Sequence, residues 1–171
     1  MKVVLRVFVC IWAMLMSEAY AETVIPRTPI APTGDTVLVA NSLKFNVRVE
    51  FKTREVQIGR LSEERSDKLN SSCTYSRYPC SIVDRIIIEV SQKSLFVPRS
   101  VFCDLADLNS AEVNLEQKEW VLILNGGDAS ESYVVKIWFD AERVKQKSLS
   151  SSIAPNEPLQ VTVYHQHILD N

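Results

Sequence analysis

The chain has 171 residues, of which 46% are hydrophobic and 23% charged, and its 19 Lys+Arg against 21 Asp+Glu give a formal net charge of −2. So even a balance supplies no long-range attraction to nucleic acid or anionic lipid, which argues against both as partners. Beyond the first 21 residues no apolar run approaches the roughly 20 residues that span a bilayer core, so no membrane insertion of the mature chain is expected.

Lys2 and Arg6 give a positive start ahead of a short apolar run from Val7 to Met16, and Ala19-Tyr20-Ala21 puts small residues at −3 and −1 of a cleavage point. This is the pattern of an export signal. The run is about ten residues, too short to cross a membrane. Residues 1–21 are therefore expected to be removed, leaving a periplasmic or secreted chain from Glu22 with a formal charge of −3 once Lys2, Arg6 and Glu18 are gone. Cys10 lies inside the apolar run behind Val9, so it reads as part of the discarded signal and not as a lipid-modified cysteine. The remaining length suits one domain, which at about this size buries ~68–70% of its unfolded surface.

Residues 22–36 carry Pro26, Pro29 and Pro32 and read as an extended, proline-rich N-terminal leader. Its P-x-x-P spacing also allows a recognition ligand, but a tether is the plainer reading. A single β-rich domain is expected over 37–171. Phe45, Val47, Val49 and Phe51 alternate with Lys44, Asn46, Arg48, Glu50 and Lys52, the period-two signature of a strand with one wet face. Thr53-Arg54-Glu55 is expected to turn the chain, with Val56 and Ile58 on a partner strand.

Cys73, Cys80 and Cys103 remain after the signal, and an oxidising compartment favours a disulfide. Closing the short Cys73–Cys80 loop contributes about 2–3 kcal/mol on the chain-entropy estimate. This pairing is the favoured one, although spacing alone leaves open a bond from either to Cys103 or between chains. Asn70-Ser71-Ser72 is an N-x-S sequon, relevant only in a eukaryotic source.

Ile86, Ile88 and Val90 begin a second strand block, Ser91-Gln92-Lys93-Ser94 reads as a hairpin turn, and Pro98 stops the strand Leu95-Phe96-Val97. Val101, Phe102, Leu105 and Leu108 then fit one helical face, predicting a short helix near 100–108 capped by Ser100. Glu112–Leu115, Trp120–Leu124, Tyr133–Phe139 and Leu159–Tyr164 read as an antiparallel meander, with Asn125-Gly126-Gly127-Asp128 as a turn and 148–158 as a polar loop. The expected fold is mainly β: an antiparallel sandwich or curved sheet with one short helix.

Four groups of residues bear on chemistry. Asp128-x-Ser130-x-Ser132 spells a metal-adhesion string whose carboxylate and hydroxyls suit Mg²⁺, but no α/β alternation surrounds it, so a polar hairpin loop is the better reading. His165 and His167 could supply two metal ligands, yet no third histidine completes a set; solvated histidines on a terminal strand are favoured and no metal or other cofactor is expected. Cys103 with one of these histidines and Asp104 can be drawn as a thiol triad, though a buried leftover cysteine is commoner. Asp104 and Asp107, three apart on the expected helix, could work as acid and base, but neighbouring carboxylates are ordinary.

The loop between the cysteines offers Tyr75, Arg77 and Tyr78, residue types enriched where interfaces concentrate binding energy. A disulfide at its base would pre-order it. Leu95-Phe96-Val97-Pro98-Arg99-Ser100, Asp104-Leu105-Ala106-Asp107, Gly126-Gly127-Asp128 and Tyr133 together resemble a pattern in small exported bacterial proteins of unassigned activity, over about residues 85–165. The resemblance implies a bacterial source and export, and no mechanism. The chain lacks G-x-S-x-G, H-E-x-x-H, a phosphate-binding glycine loop and a dinucleotide fingerprint. The resulting expectation is a non-catalytic binding protein of inhibitor or immunity type, contacting a protein partner through Tyr75, Arg77 and Tyr78, as a 1:1 complex or a homodimer. The alternatives are a small hydrolase or metal-dependent enzyme using His165 and His167, and a structural component of an envelope assembly.

Overall fold

A computed structural model describes residues 27–41, 46–57, 73–75, 77–116 and 119–165. The signal segment 1–21, Phe45, Ile58, the sequon at 70–72, Ser76 and His167 lie outside the described residues. Among the described residues ten strands appear: β1 (Thr28–Pro29), β2 (Gly34–Asn41), β3 (Asn46–Val56), β4 (Cys80–Val90), β5 (Lys93–Ser94), β6 (Leu108–Glu116), β7 (Glu119–Gly126), β8 (Tyr133–Phe139), β9 (Val144–Ser151) and β10 (Pro158–Val163). They form two antiparallel sheets, ordered β1-β6-β7-β8-β9-β10 and β2-β3-β4-β5.

One continuous apolar cluster lies between the sheets, drawn from Val49 and Phe51 on β3, Ile86 and Ile88 on β4, Leu122 and Leu124 on β7, and Ile137 and Phe139 on β8. Alternation puts these side chains on the inner faces, so each sheet covers the other as the layers of a sandwich. Among the described residues no helix is long and apolar enough to cross a membrane.

The alternating run on β3 continues through Thr53-Arg54-Glu55 to Val56 and does not turn there. The irregularity is a bulge: Lys52 pairs with Arg85 and Thr53 with Val83, leaving Asp84 as the extra residue on β4. One extra residue reverses the parity of a strand. Buried Val83 is therefore followed by buried Ile86, Ile88 and Val90, and Asp84 is turned outward to Arg54 at 2.8 Å.

Between β4 and β5 the two-residue turn Ser91-Gln92 has positive φ at both positions, 49° and 69°, the requirement of a type I′ hairpin. The helix expected near 100–108 is a single 3-10 turn, Arg99–Val101. Its apolar residues still enter the core, but from an irregular connection: Val101, Phe102 and Leu105 are buried, and Ala106 makes an isolated bridge to Ile82. The expected polar loop 148–158 begins later, because Val144–Ser151 is a strand pairing with both β8 and β10.

Of the proline-rich stretch, the described part is woven into the domain. Thr28 and Pro29 pair with Ala111 and Ser110 on β6, while Gly34 onward pairs with β3. The chain thus passes from one sheet to the other through residues 30–33. Thr53 Oγ1 donates to the Ala31 carbonyl at 2.7 Å, and Ser81 Oγ donates to the Pro32 carbonyl at 2.7 Å. These bonds satisfy the carbonyls of a crossing that has no ladder of its own.

Candidate functional site: the stapled loop

Cys73 and Cys80 are joined by a disulfide, with their Cα atoms 5.7 Å apart. Cys80 is the first residue of β4, so one end of the loop is rooted in the four-stranded sheet. The other end is held from the opposite sheet by Asp107, which lies immediately before β6 and is buried. One Asp107 carboxylate oxygen accepts the Thr74 N–H at 2.7 Å, and the other accepts the Ser81 N–H at 2.9 Å. The Asp107 N–H donates in turn to the Ser81 carbonyl at 2.6 Å. Asp107 takes φ 49° to do this, a left-handed conformation that Asp and Asn tolerate better than most residues.

The rim of the loop is tied just as closely. The Arg77 guanidinium donates to Asn109 Oδ1 at 2.7 Å. Asn109 Nδ2 donates to the Gly127 carbonyl at 2.8 Å, and the Gly127 N–H donates to the Asp107 carbonyl at 3.1 Å. On the far side the Tyr75 N–H donates to Glu131 at 2.7 Å. Glu131 belongs to the 3-10 turn Ala129–Glu131 between β7 and β8. The loop therefore rests on the β7–β8 connection through both Tyr75 and Arg77.

Beneath it, Tyr133 closes the end of the sandwich. Its ring passes over Gly126, its cross-strand partner, where an added Cβ would lie 2.4 Å from the ring. Its hydroxyl donates to the Ala106 carbonyl and accepts the Ala106 N–H at 3.3 Å. Burial pushes the Tyr133 phenol well above its ordinary range, with nearby Asp107 and Asp104 adding in the same direction.

The three expected contact residues divide by this geometry. Tyr75 is 52% exposed and Tyr78 49% exposed. Arg77 is half-buried and hydrogen-bonded into the scaffold. The loop thus presents two aromatic side chains and uses the cation to hold itself.

Elsewhere the side chains singled out by sequence are engaged separately. Asp104 pairs with Lys147 at 2.5 Å, whereas Asp107 binds backbone N–H groups, so the two carboxylates do not share a helical face as an acid–base pair. Cys103 is a free, exposed thiol, not a core cysteine. His165 is exposed, just beyond β10. Ser132 of the D-x-S-x-S string donates to the Ala129 carbonyl at 2.7 Å, closing the hairpin connection on itself. Among the described residues no three His, Cys, Asp or Glu side chains are grouped to hold a metal ion.

No family model, curated protein or solved structure matches the chain. Sequence reasoning missed Asp107 as the centre of the loop's support, and with it Asn109 and Glu131. The one signal available was Asp107's place between apolar Ala106 and Leu108, an unusual setting for a carboxylate without N–H partners.

Proposed function

We propose that the chain is an exported, non-catalytic binding protein that recognises a protein partner through the disulfide-closed loop 73–80. Tyr75 and Tyr78 are the contact anchors and Arg77 is the residue that positions them. The observation that carries this reading is the pairing of two half-exposed tyrosines with a loop fixed at its base by a disulfide and from below by the Asp107 carboxylate. A loop whose backbone is already fixed loses less conformational entropy on binding, and tyrosines are enriched among the residues that dominate interface energetics. Export is supported by the N-terminal signal pattern and by the disulfide, which persists in oxidising compartments.

The test is capture by the mature chain from envelope extract and culture fluid, followed by calorimetric titration of the recovered protein. Tyr75→Ala with Tyr78→Ala is expected to weaken that complex by at least tenfold, about 1.4 kcal/mol. Both side chains are exposed, so the fold should be kept, and circular dichroism checks that. Equal affinity of the wild type and a folded double variant would overturn the reading.

A further inference from the structure

Among the described residues β10 is the outer strand of the six-stranded sheet. The Tyr164 N–H donates to the Lys145 carbonyl at 2.8 Å. By the alternation of an antiparallel ladder, even-numbered residues here bond to β9, and Val161 and Val163 point their N–H and C=O groups outward. Their side chains are also 49% and 54% exposed. Open edges are normally blunted by charge, proline or a bulge. On β10 such devices stand at one end only, as Pro158 and the bulge at Leu159. From Gln160 onward the edge is regular, and the strand carries no charged residue.

We propose that this edge pairs antiparallel with the same edge of a second copy, about a two-fold axis through Thr162. In that register Val161 lies opposite the partner's Val163, and the reverse pair repeats it. All four residues point outward, so each pair exchanges two backbone hydrogen bonds. Gln160 falls opposite the partner's Tyr164, and no like charges meet. A one-residue slip sets outward-pointing Val161 against inward-pointing Thr162 and loses the bonds. A two-residue slip centred on Val161 draws the bulged Leu159 and Pro158 into the ladder. The opposite slip, centred on Val163, sets Val161 against the partner's His165, so the Thr162 axis is the register in which both valines meet valines. A two-fold contact must be self-complementary, and valine on valine along an uncharged edge meets that condition. A foreign strand would find no charge between Gln160 and Val163 to select it. This surface lies on β10 and is independent of the loop reading.

Sedimentation velocity on the mature chain tests the proposal together with register-specific cross-linking. Wild type is expected to be dimeric in the micromolar range, and Val161→Lys with Val163→Lys monomeric, because the substitutions set lysine opposite lysine. In a Cys103→Ser background, Thr162→Cys is expected to form an interchain disulfide on mild oxidation. The Cα atoms of a non-hydrogen-bonded antiparallel pair lie ~4.5 Å apart, within disulfide range. Gln160→Cys, opposite Tyr164 and not itself, is expected to stay reduced. A monomeric wild type, a dimer that survives both lysines, or cross-linking of Gln160→Cys as fast as Thr162→Cys would each overturn the proposal.

Discussion

Asp107 and Thr74 lie 33 residues apart in sequence, and the carboxylate of the first accepts the N–H of the second at 2.7 Å. With the Ser81 N–H on its other oxygen, the carboxylate anchors the base of the disulfide loop to the opposite sheet. Asp107→Asn keeps the left-handed backbone but turns an NH₂ toward one of two buried donors. One donor is then unsatisfied, a loss of about 1–3 kcal/mol. Asp107→Ala leaves both donors unsatisfied and adds strain at φ 49°. Urea unfolding is expected to rank wild type above Asp107→Asn and both above Asp107→Ala. Equal midpoints for the two variants would contradict the bidentate role.

The disulfide restrains the same loop, so its contribution is coupled to that of Asp107. Replacing Cys73 and Cys80 by serine is expected to lower stability by about 2–3 kcal/mol. Adding Asp107→Asn to that pair should cost less than the separate effects combined, because the opened loop can rehydrate its Thr74 N–H. Cys103→Ser should change little, since that thiol is free and exposed. A double-mutant cycle in urea measures the coupling, and strict additivity would show that the two restraints act on different parts of the structure.

Strand content and the Cys73–Cys80 pairing were legible in sequence because period-two alternation and a short cysteine spacing are local signals. Val47, Val49 and Phe51 are buried on one face as that alternation requires. The departures arise where tertiary context overrides local pattern. Val101, Phe102, Leu105 and Leu108 have helical spacing, yet the segment also packs under an isolated bridge from Ala106 to Ile82, and only one 3-10 turn forms. Asp84 reads as an ordinary charged residue until its bulge on β4 is seen. Ser148-Leu149-Ser150-Ser151 has the polar composition of the expected loop 148–158, but pairing with β8 and β10 makes it part of a strand. At the loop, residue type alone named Tyr75, Arg77 and Tyr78, and nothing in the spacing connects Arg77 to Asn109 and Gly127, on which its inward role depends.

Tyr133 gives the stability a specific alkaline limit. Burial raises its phenol above the ordinary value of 10.0. The unfolded chain therefore releases that proton first, and stability is full below about pH 10 and declines as pH rises above it. Burial raises the Tyr164 phenol as well, so it contributes with the same sign. Tyr133→Phe is expected to be less stable at neutral pH, because the Ala106 N–H and carbonyl lose their partner. It should also show a shallower decline above pH 10. Denaturant midpoints measured from pH 7 to 11 for wild type and variant check both parts, and parallel curves would remove Tyr133 from the account.

Lys147 is on β9 opposite Ile137, so it points between the sheets, where its side chain is 4% exposed against 34% for its partner Asp104. The 2.5 Å contact keeps a buried ammonium paired at the margin of the core. Removing only the carboxylate strands that charge, and Asp104→Ala is expected to destabilise by about 2–3 kcal/mol, somewhat below the value for a fully buried pair because Asp104 is partly solvated. Lys147→Met removes the charge while filling similar volume and should be close to neutral. The combination of both substitutions should recover most of the Asp104→Ala loss, since no charge then remains to be stranded. Thermal unfolding of the three variants discriminates: a double variant no more stable than Asp104→Ala would mean that the carboxylate acts through something other than Lys147.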